Sequence, residues 1–178
     1  MKKQFVYLAL SVISILNFTS CNTATPEKYF NTAVLNTNLL AGFAGNGMLR
    51  QIESPSVKLD EKTGETVPMN SSEIIKDRIK SVDETLSNVK DLKQTDDTKE
   101  MLQASVSLYE FVLPVYKNEY IKLAESIDKK ESAEKIDSEA NAIHEKYFSR
   151  YDELYKKLIS IGKVYAENNN IKVNWNEN

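Results

Sequence analysis

Met101-Leu-Gln-Ala-Ser-Val-Ser-Leu-Tyr-Glu-Phe-Val-Leu-Pro-Val-Tyr-Lys-Asn-Glu-Tyr-Ile-Lys-Leu-Ala-Glu-Ser-Ile127 is the stretch on which the fold turns. Leu102, Val106, Tyr109, Leu113, Tyr116, Tyr120, Leu123 and Ile127 recur in it at alternating steps of four and three, the spacing of one helix face. A second row, Met101, Leu108, Val112 and Val115, widens the apolar arc to about half the circumference, which predicts the most buried helix of the chain. Pro114 has no N–H for the Glu110 carbonyl, so the helix should be disturbed there.

Neither Gly nor Pro separates Ile127 from Ile136, yet at about 100° per residue Ile136 falls on the opposite side from the preceding stripe. The chain therefore turns, near Lys129-Lys130-Glu131, with Ser132 as the next cap. Ile136, Ala140, Ile143, Tyr147, Tyr151, Leu154, Leu158, Ile161 and Tyr165 then recur at a mean step of about 3.6, the period of a nearly straight helix. Asn168-Asn169-Asn170 ends it. In a hairpin turning near residue 130, equal heights pair Glu110 with about Tyr151, and Glu119 with His144.

Upstream, Ile75, Ile79, Val82, Leu86, Val89 and Leu92 form one stripe after Ser71-Ser72-Glu73, a helix buried on one side, and Thr95-Asp96-Asp97 offers the following cap. Before it, Val57-Lys-Leu59 and Thr66-Val67 alternate around a turn at Gly64, a small β-hairpin that must lean on helices because two strands alone are marginal. Thr25-Pro26-Glu27 starts the first helix, and Phe30, Val34, Thr37, Ala41, Ala44, Met48 and Ile52 follow at helical spacing. Gly42, Gly45 and Gly47 interrupt it. The expectation is one weakened helix, the other reading being a break at Gly45-Asn46-Gly47. Together these elements predict an all-α fold, an antiparallel up-down four-helix bundle with a β-hairpin insertion between helices one and two.

Of 23 Lys and Arg, two lie at the extreme N-terminus, and 26 Asp and Glu oppose the rest, so nothing here attracts nucleic acid. A di-iron site needs Glu-x-x-His on two helices, whereas the single histidine, His144, is preceded at that spacing by Asn141. Covalent haem needs Cys-x-x-Cys-His, and one cysteine cannot supply it. No cofactor is implied. Glu119, within the apolar arc of the third helix, and His144, on the shoulder of the fourth, form a candidate polar pair, read either as half of a metal or proton-transfer site or as a hydrogen bond at the helix interface. Tyrosines at helical spacing on these two helices read as core.

Lys2 and Lys3, an apolar run from Phe5 to Phe18, and Thr19-Ser20-Cys21 follow the order of a secretory signal peptide, with a run too short to span a membrane at ~20 residues per crossing. At Thr19, Ser20 and Cys21 the chain resembles a bacterial lipoprotein with its lipobox, although Phe18 stands where that family usually has Leu. The resemblance implies cleavage before Cys21, a diacylglycerol thioether on its sulfur and an acylated amino group, and two or three chains anchor effectively permanently. Beyond that motif the chain resembles small helical-bundle lipoproteins of bacterial envelopes, Bacteroidota-like in its lysine- and asparagine-rich composition. Asn22 after Cys21 resembles lipoproteins sent to an outer membrane, where the cell has one.

The expected organisation is a signal peptide over 1–20, lipidated Cys21 and a short tether over 21–25, a helical bundle over 26–168 with its hairpin at about 56–68, and a tail over 169–178. The bundle topology puts the tether, the loop between helices two and three, and the tail at the membrane end. Trp175, after Ile171 and Val173 on one side of an alternating segment, is then either a membrane-interface contact or a clasp folded back on the bundle. The functional expectation is an envelope lipoprotein held in the membrane through lipid on Cys21, a non-enzymatic binding or structural module for an envelope protein partner. The alternative is a ligand or metal carrier, or an enzyme, with a site between bundle helices.

Overall fold

The computed structural model describes residues 24–175, which are mainly α with one small antiparallel hairpin. In chain order these are α1 (Pro26–Ala33), a 3₁₀ segment (Leu35–Leu40), α2 (Asn46–Glu53), β1 (Val57–Leu59), β2 (Thr66–Pro68) and α3 (Ser71–Asp91). Then follow α4 (Lys99–Val115), a wide π turn (Tyr116–Tyr120), α5 (Ile121–Asp128) and α6 (Ala133–Asn168). Cys21 lies outside the described residues.

Local chemistry starts and stops these helices. Thr25 accepts from the Lys28 N–H ahead of Pro26, Ser132 accepts from the Lys135 N–H, and Asn70 and Glu73 cap each other's backbone at the start of α3. Asp96 and Asp97 do not cap α4, whose first residue follows Thr98 at the end of a turn tied back to Thr95. Both α5 and α6 end in one left-handed residue, Lys130 at φ 56° and Asn170 at φ 54°. In each case the next N–H reaches back, Glu131 to the Ser126 carbonyl and Ile171 to the Ala166 carbonyl, so the last carbonyls of the helix keep partners.

Pro114 leaves the rod unbroken, but the turn after it widens, and the Asn118 side chain donates to the Pro114 carbonyl at 2.8 Å. α3 runs antiparallel to this rod. Asp128 at one end accepts from the Ser71 and Ser72 N–H groups at 2.8 and 3.0 Å, while Lys117 meets Asp83, and Lys90 meets Glu110 further on. Burial raises the Asp128 carboxyl, but the hydrogen bonds from Ser72 and Ser71 outweigh it and hold the group below the ordinary carboxylate range. α6 returns antiparallel on the other flank, with Glu119 and Phe111 both against Tyr147.

The first arm differs from the expected single helix. α1 gives way at Val34 to the 3₁₀ segment, the chain turns at Gly42 and Ala44, and α2 restarts at Asn46. Gly42 decides this, with φ at +81° and a position where a Cβ would lie 2.8 Å from the backbone of Gly47 and Met48. The interruption thus runs from Val34 to Gly45, ending where Gly45 leads into α2, with a close approach of backbone to backbone at Gly42. Nevertheless Phe30, Val34, Thr37, Ala44, Met48 and Ile52 are buried, so the arm keeps most of its apolar side inward through the change of backbone, and Ala41, beside the turn at Gly42, is the member of the stripe that is exposed.

β1 and β2 pair with Lys58 opposite Val67 and Leu59 opposite Thr66, closed by a turn in which Asp60 accepts from Lys62 and Thr63 and Gly64 sits at φ +72°. The hairpin leans on the helices less than its size requires. Val57 and Leu59 are 65% and 63% exposed, and its tie to α3 is the ion pair of Lys58 with Glu73.

Candidate functional site

A broken helix leaves backbone groups without partners, and a buried unpaired group costs about 1–3 kcal/mol. Along the first arm those groups are met by side chains from the surrounding helices. Ser105 of α4 donates to the Ala33 carbonyl at 2.8 Å, Arg78 of α3 to Leu39 at 2.6 Å, and Tyr151 of α6 to Leu40 at 3.2 Å. At Ala44, left-handed at φ 51° and 1% exposed, the N–H donates to the Tyr120 hydroxyl at 2.7 Å. The Ala44 carbonyl faces His144 Nδ1 at 2.6 Å. A carbonyl can only accept, so Nδ1 carries a proton there, and the ring stacks on Phe148 at 4.8 Å.

Phe43, next to Ala44, is the centre of an aromatic cluster. Its ring lies 4.7 Å from Tyr151, 5.4 Å from Tyr116 and 5.8 Å from Tyr120, so the widened turn and α6 both close on it. Burial pushes the Tyr120 phenol up to about 12, the Ala44 N–H acting in the opposite direction, and it raises Tyr109, Tyr116 and Tyr151 as well. Burial thus favours the neutral form of these phenols. Among the described residues the hydroxyls of Tyr109 and Tyr116 find no hydrogen-bond partner, whereas core tyrosines usually reach water or a polar group.

Glu119 and His144 are not brought together. Glu119 accepts from the Tyr147 hydroxyl at 2.9 Å and faces Lys146 at 3.5 Å, one helical turn beyond His144. The Tyr147 hydrogen bond first, and then Lys146, lower its pKa. The two residues therefore act separately, His144 on the Ala44 carbonyl and Glu119 at a cleft of about 190 Å³ between α5 and α6. Lys122, Glu139 and Tyr147 also line that cleft, and one Glu139 oxygen is buried there without a partner. Among the described residues no three His, Cys, Asp or Glu side chains stand where they could hold a metal ion. Arg78 and Ser105, which donate to the Leu39 and Ala33 carbonyls, carried no signal in the sequence, and Tyr120 read only as a member of the apolar stripe.

Trp175 is half-buried at the other end of the molecule. Its ring meets Phe30 edge-on at 5.8 Å, and the Lys163 ammonium lies 5.6 Å from its centroid. Ile171 and Val173 face inward beside it, while Lys172 and Asn174 are exposed. Tyr29 donates to the Lys93 carbonyl at 2.6 Å, so α1, the loop after α3 and the tail share this end, and the hairpin lies at the opposite one. No family model, curated protein or solved structure matches this chain.

Proposed function

We propose that the protein is a lipid-anchored lipoprotein of the cell envelope, in the outer membrane where the cell has one, and that its helical domain is a non-enzymatic binding or structural module for an envelope partner. The domain is read as an up-down-up-down four-helix bundle whose first arm, α1 to α2, is broken but keeps the direction of α4–α5. The observation that carries the reading is positional. α1 starts within five residues of Cys21, at the end where the tail lies, and the signal-like run with Thr19-Ser20-Cys21 stands immediately before it. A tether that short reaches about 14 Å at most, which keeps this end at the membrane surface and turns the hairpin outward. Among the described residues no helix is long and apolar enough to cross a membrane, so attachment would fall to the lipid. A carrier or enzyme between helices is the second reading, and the cleft beside Glu119, about 190 Å³, is small for it against the 300–1,000 Å³ common for ligand pockets, although the groove between α3 and α4 lined by Lys90, Gln94 and Gln103 reaches about 450 Å³.

Cys21→Ala tests the anchor. The variant is expected in the soluble fraction and without incorporated fatty acid, while the parent labels with palmitate and enters the detergent phase. A variant that stays in the membrane fraction, or a parent that takes up no label, refutes lipidation at Cys21.

A further inference from the structure

α1 has eight residues, too few to hold as an isolated helix when ~12–15 are already marginal. Its stability comes from what covers it. Phe30 is fully buried, packed beside Gly162 of α6, where an added Cβ would sit 3.6 Å from the ring, and edge-on to Trp175. The tail that brings Trp175 there begins at the left-handed Asn170 and runs back alongside the last turns of α6. Five extended residues span about 16 Å, enough to return to the level of Lys163. Among the described residues the tail backbone makes one hydrogen bond, Ile171 N–H to the Ala166 carbonyl, and beyond it the tail is held by Ile171, Val173 and Trp175 alone.

We propose that Ile171–Trp175 is a strap which holds α1 against α6 and which opens on its own while α3, α4 and α6 stay folded. The physical basis is the contrast in attachment. Segments with few backbone hydrogen bonds and little buried area open at a fraction of the global unfolding free energy. The contacts that would be lost, the Phe30 edge and the Lys163 ammonium, belong to the strap and not to the core of the long helices. Opening uncovers Phe30 and removes the outer support of α1, so the element nearest the chain start becomes the first to exchange. The inference stands whether or not the chain carries a lipid.

Hydrogen exchange on the chain from residue 22 onward, compared with a chain ended after Asn170 and with Trp175→Ala, tests it. Amides of Tyr29–Val34 are expected to exchange at least tenfold faster in both variants, with α3 and α4 unchanged. Adding a synthetic peptide of residues 169–175 should restore protection to the shortened chain. In the unaltered protein, Trp175 emission should change at lower urea than the far-ultraviolet helix signal. Unchanged exchange in α1, equal acceleration of every helix, or coincident urea transitions would each overturn the strap, and the last measurement needs no variant to fold.

Discussion

Tyr120→Phe and Tyr116→Phe make the sharpest test of the first arm, because the same chemical change should have opposite signs at neighbouring turns. Tyr120 accepts the Ala44 N–H at 2.7 Å in a site where both residues are almost fully buried. Removing its hydroxyl leaves that N–H unpaired away from water, which costs about 1–3 kcal/mol. Tyr116 is equally buried, but its hydroxyl has no partner, so the folded state already carries the desolvation of an unpaired polar group. Its removal should be neutral or stabilise by up to about 2 kcal/mol. The two variants should then differ by roughly 1–5 kcal/mol, or about 2–20 °C in Tm at 2–4 °C per kcal/mol for a domain of this size. Urea unfolding of the chain from residue 22 onward, followed by circular dichroism, measures both, provided the slope m is unchanged. If Tyr120→Phe is neutral, or if Tyr116→Phe is as damaging as Tyr120→Phe, the account of how the broken arm is satisfied is wrong.

Gly42→Ala should destabilise by about 2–5 kcal/mol, from a left-handed alanine plus a Cβ forced against backbone, whereas Gly45→Ala, with 3.7 Å to its nearest neighbour, should cost under about 1 kcal/mol; the same urea assay ranks them, and equal effects would place the break elsewhere. Alkaline pH should unfold the domain steeply. Tyr109, Tyr116, Tyr120 and Tyr151 are all raised in the folded state, so the stability they contribute is complete below the unfolded phenol value near ~10 and is lost as pH rises toward the folded values. Tyrosinate absorbance should appear together with the loss of helix signal, and early ionisation in a still folded chain would show that these phenols are not sealed in the core.

The periodicity of the sequence reported burial more faithfully than backbone. Tyr147, Leu154, Leu158 and Tyr165 lie inward on a helix of 36 residues as their spacing requires. The first arm shows the same inward pattern across a 3₁₀ segment, two left-handed residues and a second helix. Apolar spacing could not reveal that break, since Gly42 is needed because Gly47 comes back against it, a contact set by the fold and invisible in a linear pattern. The pairing of Glu119 with His144 missed by one helical turn for a related reason. It assumed a regular rod from Met101 to Ile127, and the wide turn at Tyr116–Tyr120 changes the rise and rotation between Pro114 and the hairpin bend, so that Glu119 meets Tyr147.

What remains of the polar residues follows from the break itself. A histidine on the shoulder of a helix invites a catalytic or metal reading when the helices around it are assumed intact, because an intact helix keeps its own carbonyls occupied. Once the first arm is broken, the Ala33, Leu39 and Ala44 carbonyls take outside donors from Ser105, Arg78 and His144, and Tyr151 adds a second donor to the Leu40 carbonyl, which already accepts from the Phe43 N–H. The donors come from α4, α3 and α6, so the arm is fastened to each long helix by a separate hydrogen bond. A set of directional bonds spread in this way fixes the position of the arm along the long helices, where apolar packing alone would tolerate sliding. His144 is thus explained by the backbone it serves.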